Sequence, residues 1–155
     1  MEQRLTAQVV LTDSEAVLAF SCALQSRVPG GEMHQTILLR TTDAGMIWEP
    51  IPLRRTLMSH IWRWGWPTWP PEAVMELTGG RTGLEMTFRD EWAPYDRGDE
   101  SLWRAVEQRP GVWKTSRIRF MDYENSDSPI SLSAIPLNLP SGMKPPDEHL
   151  LSSLA

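Results

Sequence analysis

Apolar and polar positions alternate over residues 5–11 and run apolar over 16–24, with Thr12, Asp13 and Ser14 between. That pattern predicts a β-hairpin opening the fold. Residues 26–32, with Pro29, Gly30 and Gly31, read as a loop leading to a third strand over 34–41. After a tight turn at Asp43, Ala44 and Gly45, residues 46–53 predict a fourth strand. Pro50 and Pro52 place it at an edge or at the end of pairing, because proline has no N–H to give to a ladder. Further on, Trp62, Trp64 and Trp66 alternate with Arg63 and Gly65, the spacing of a strand with one aromatic face. Glycines 79, 80 and 83 between 72–78 and 84–92 give a second hairpin signal. A short helix is expected near 99–108, capped by Asp99 and stopped by Pro110 and Gly111, followed by closing strands over 112–123 and 129–137.

The sum is an all-β fold, a mostly antiparallel β-sandwich or strongly curved sheet of roughly eight to ten short strands with one short helix. Residues 1–139 form the expected domain. Pro140, Gly142, Pro145 and Pro146 give 140–155 the composition of a flexible tail, with at most one helical turn near its end.

Composition narrows the function classes. The chain has 155 residues, 41% hydrophobic and 23% charged, which fits a globular domain able to bury its own core. The formal net charge of -5 removes the attraction that drives non-specific nucleic-acid binding and leaves room for a basic partner. Cys22 stands alone in an apolar run, so no intramolecular disulfide or cysteine-held zinc is expected, and a buried, inert thiol is. The first residues lack a signal-peptide pattern and no apolar run reaches membrane-spanning length, so the expected location is the cytoplasm.

One motif has a defined pattern. In Thr41–Trp48 a threonine, an aspartate two residues on, a glycine two beyond that and a tryptophan three further follow one another. Asp43 can accept N–H bonds across its own turn, Gly45 can take a positive φ, and Trp48 can cover the turn. Over residues 36–50 this resembles an Asp-box β-hairpin of the sialidase-type propeller repeats. The resemblance implies a structural hairpin set away from any active site, built on Thr41, Asp43, Gly45 and Trp48. It stops at one hairpin, whereas a propeller needs several four-stranded blades. The arginine cluster, tyrosine and acid of a sialidase site map onto no residue here.

His34, His60 and His149 have no metal-ligand spacing, and no cofactor or metal site is expected. Eight tryptophans are the least ordinary feature: indoles are costly to expose but serve well as interface anchors. Trp62, Trp64, Trp66 and Trp69 therefore form a candidate partner-binding surface. With them go the carboxylates of Asp90, Glu91, Asp96, Asp99 and Glu100, which would steer a basic partner. The favoured expectation is a protein-binding module such as an immunity protein that neutralises a bacterial toxin. A carbohydrate-binding or glycosidase-related Asp-box domain and a small hydrolase using a histidine–carboxylate pair are the alternatives.

Overall fold

A computed structural model describes residues 3–25, 32–55, 69–71, 73–80, 83–90, 101–120 and 134–154. Nine strands and one helix are found among them. The first sheet has the order β1-β2-β3-β4, from β1 (Gln3–Val10), β2 (Ala16–Gln25), β3 (Glu32–Thr41) and β4 (Glu49–Pro50). The second has the order β5-β9-β8-β7-β6, from β5 (Arg54–Arg55), β6 (Val74–Gly79), β7 (Leu84–Asp90), β8 (Ser101–Arg109) and β9 (Val112–Phe120). All pairings are antiparallel except that of β5 with β9. The all-β expectation holds.

The sheets pack face to face. Ala7, Val17, Ala19 and Leu38 of the first meet Val74, Met86, Phe88, Trp103, Ala105 and Trp113 of the second in one core. A second core covers the opposite face of the first sheet, where Leu5, Leu18, Cys22, Ile37, Leu39 and Trp48 meet Met143 and Leu151. This explains why residues 16–24 read as a continuous apolar run: β2 is buried on both faces, so both parities of its residues are apolar. Burial also raises the Cys22 thiol pKa above its ordinary value, which keeps it in the unreactive protonated form. On β1 the ladder shifts between Leu5 and Ala7, and the bulge at Thr6 lets Leu5 face one core and Ala7 the other.

Several expectations are corrected. The helix placed near 99–108 is strand β8 from Ser101 onward, because Trp103, Ala105 and Glu107 are buried while Arg104 and Gln108 are exposed, a period of two. Pro110 and Gly111 do not stop a helix but turn the β8–β9 hairpin, Gly111 taking φ 76° and Arg109 pairing with Val112. The fourth strand shrinks to two residues, as its prolines require.

The strand expected over 129–137 is not formed in its described part, 134–137. That segment instead lies along the free edge of β1, where Ile135 N–H donates to Leu5 O at 2.9 Å. Gln8 holds it on both sides, its amide N–H donating to Pro136 O at 3.0 Å and its amide oxygen accepting from Asn138 N–H at 2.9 Å. The edge strand is thereby covered. Residues 140–154, expected as a tail, pack Met143 and Leu151 onto the first sheet and form the helix α1 (Glu148–Leu154).

Candidate functional site

The sequence-predicted partner surface is described only at its margins. Trp62, Trp64, Trp66, Glu91, Asp96, Asp99, Glu100 and His60 lie outside the described residues. Asp90 ends β7, paired with Ser101 of β8. Trp69 belongs to the framework: its indole N–H donates to Leu53 O at 2.8 Å, and its ring meets Phe88 edge-on with centroids 6.0 Å apart. Leu53 and Trp69 thus bring together the two ends of the stretch that carries the other three tryptophans. Trp48 and Trp113 are buried with their N–H groups donating to Lys144 O and Pro52 O, and Trp103 is buried in the inter-sheet core. The described indoles fill cores and tie chain crossings.

The turn after β3 is the best-defined polar feature. Thr41 Oγ1 donates to Asp43 Oδ1 and accepts from Gly45 N–H, both at 2.9 Å, and Asp43 Oδ1 also accepts from Ile47 N–H at 2.9 Å. The Ile47 N–H bond, with the Thr41 hydroxyl behind it, holds the Asp43 carboxyl below its ordinary pKa. Ala44 N–H donates to Ser14 O, which binds the turn to the β1–β2 connection. Lys144 N–H donates to Ala44 O, and a Cβ built on Gly45 would fall on the Lys144 carbonyl, so only glycine fits there. Held this way, Met46 and Ile47 stand out into solvent at 67% and 59% exposure. Asp43 and Glu49, which flank them in sequence, are exposed, as is Asp13 in the β1–β2 connection that the turn is bound to. Residues 46 and 47 read in sequence as the start of a strand. The signal that marks them is their place between Gly45 and Trp48, at the two positions the turn leaves free.

Between the sheets, Arg40 of β3 reaches Glu107 of β8 at 3.5 Å and Glu15 at 4.0 Å. Glu107 is 5% exposed and also accepts from Gly111 N–H at 3.2 Å, so the charge is paired and hydrogen-bonded inside the core. The pair joins the two sheets. His34 lies on β3, and His149 is exposed in the first turn of α1. Among the described residues no three His, Cys, Asp or Glu side chains are placed to hold a metal ion.

A groove of about 280 Å³ opens at the edge of β3, walled by Thr36, Leu38, Ile51, Leu53, Pro70 and Leu154. Its origin is in the prolines. Along this edge Ile51 N–H donates to Leu38 O and Thr36 N–H donates to Pro71 O, so two different chain segments cover β3 in turn. Pro50, Pro52, Pro70 and Pro71 cannot extend either segment into a continuous ladder, and a gap remains between them. Thr36 is 1% exposed, and its Oγ1 has no hydrogen-bond partner among the described residues.

No family model, curated protein or solved structure matches this chain.

Proposed function

We propose that the protein is a binding module for a basic protein surface, of the kind by which an immunity protein neutralises its cognate toxin. The observation that carries this reading is the turn at 41–48, a hydrogen-bonded tip that presents Met46 and Ile47 to solvent between the exposed acids Asp43 and Glu49. Apolar anchors supply binding energy when a partner desolvates them, and carboxylates around them steer and select a positively charged partner. Because the turn is already fixed by its own hydrogen bonds, little freedom remains to be lost on binding. The net charge of -5 acts in the same direction at longer range. On sequence grounds Trp62, Trp64 and Trp66 with the acidic 90–100 segment form a second candidate part of this surface.

Affinity purification from the native host at moderate salt, with mass spectrometry, tests the reading. A stoichiometric basic protein is expected with the wild-type chain. Retention of that protein falls at least about tenfold in a Met46→Ser, Ile47→Ser variant if the tip is an interface hot spot. Raising the salt weakens capture, since exposed charges are screened beyond roughly 10 Å at 0.1 M. Parallel loss in a Trp64→Ala, Trp66→Ala variant extends the surface to the tryptophan segment. Absence of any basic companion when candidate partners are expressed removes the proposal.

A further inference from the structure

We propose that the C-terminal segment is a latch on the tip at 41–48, so that docking of residues 140–154 sets the tip for binding and their release switches it off. The control of binding rests on the reading of this turn as the partner-binding element. Ala44 is the residue that makes a latch necessary. Its φ of 59° lies in the left-handed region, which a residue with a Cβ occupies only where its surroundings hold it there. The bonds inside the turn pass it by, running from Thr41 and Asp43 to the N–H groups of Gly45 and Ile47. Ala44 is instead clamped from outside, its N–H donating to Ser14 O at 2.9 Å and its C=O accepting from Lys144 N–H at 3.0 Å.

The Ser14 clamp forms with the adjoining β1–β2 hairpin, but the Lys144 clamp depends on a segment from the far end of the chain. Lys144 is bound through both of its backbone groups, since its C=O also accepts from the Trp48 indole N–H at 2.9 Å. The chain passes so close that a Cβ on Gly45 would fall on the Lys144 carbonyl. Beside Lys144, Met143 is buried with Leu151 and Trp48 in the core on the outer face of the first sheet. With this segment docked, Ala44 stays left-handed and Met46 and Ile47 stand out as one tip. With it released, Ala44 relaxes to negative φ and re-aims the residues after it, so a partner must order them again on binding. The coupling is reciprocal, and a partner seated on the tip holds the C-terminal segment down by the same factor.

The test is amide hydrogen exchange on the full-length, ¹⁵N-labelled protein and three variants. Lys144→Pro deletes the N–H that clamps Ala44, Trp48→Phe deletes the indole donor while keeping a ring in the core, and Lys144→Ala changes the exposed side chain alone. Exchange at Gly45 and Ile47 reads the tip, and exchange in β2 and β8 reads the fold. Both tip amides are expected to exchange at least about fivefold faster in Lys144→Pro and in Trp48→Phe, with the strands unchanged and Lys144→Ala like wild type. Retention of the basic companion is expected to fall by a similar factor in the first two variants and not in the third. Wild-type exchange at Gly45 and Ile47 in Trp48→Phe and in folded Lys144→Pro overturns the latch, whatever the partner is. Faster exchange with undiminished retention overturns its control of binding and leaves the tip as the binding element. Faster exchange with no companion on any form, wild type included, removes the binding role of the tip and the control of it together.

Discussion

At the scale of single residues, the turn after β3 concentrates the most consequential chemistry. Gly45→Ala meets both a φ of 84° and the Lys144 backbone. It is expected to destabilise the fold by about 2 kcal/mol or more, read as a shift of the urea midpoint at unchanged slope. Asp43 adds a pH dependence. Its folded pKa is depressed, so its contribution is present above the unfolded carboxyl pKa and is lost as pH falls through the folded value. Thermal melts of wild type and Asp43→Asn should therefore converge toward acid and separate above about pH 4, wild type being the more stable there. Equal pH profiles would show that the carboxylate charge is idle. Thr36 runs the other way: replacing its unpartnered hydroxyl by a methyl in Thr36→Val should be neutral or stabilising, by up to about 1 kcal/mol.

Among the elements, β3 and β8 are joined through the Arg40–Glu107 pair, which gives the sandwich a fixed relation between its layers. Arg40→Met takes the cation away from the buried Glu107 carboxylate and leaves it the Gly111 N–H bond. Breaking a fully buried pair costs about 3–5 kcal/mol, and the 28% exposure of Arg40 brings the expectation to about 1–3 kcal/mol. Adding Glu107→Gln should restore most of that loss, because the amide oxygen still accepts from Gly111 and no charge is stranded. A denaturant double-mutant cycle measures the coupling. The same strand β8 marks where sequence reading fails. Asp99 before it and Pro110-Gly111 after it are signals shared by helix ends and hairpin turns, and only the alternation of Trp103, Ala105 and Glu107 separates the two. The hairpins β1–β2 and β6–β7 were legible because their turns and alternation lie within a few adjacent residues. The Thr36 hydroxyl and the cross-sheet pair were not legible, since their surroundings come from residues tens of positions away.

For the whole molecule, the question is what keeps the outer face of the first sheet from water. That role falls to residues 134–154, whose proline-rich composition gives little hint of packing because the apolar residues that make it, Ile135, Leu139, Met143, Leu150 and Leu151, follow no strand or long-helix period. Leu151→Ala should cost about 2–4 kcal/mol, as for other buried leucines. A chain ended after residue 139 should lose more and bind a hydrophobic dye, with Trp48 fluorescence shifting toward its water-exposed position as Lys144 is removed. An unchanged dye response would indicate that the strands hold this face closed unaided.

The C-terminal covering also imposes an order in time. At roughly 5–20 residues per second, Leu39 leaves the ribosome roughly five to twenty seconds before Leu151 does. During that interval the strands can pair, but the apolar outer face of the first sheet has nothing of its own chain to lie against. A message interrupted shortly before codon 143 therefore yields a polypeptide with every strand and a sticky surface, a product that chaperones and proteases can distinguish from the finished protein.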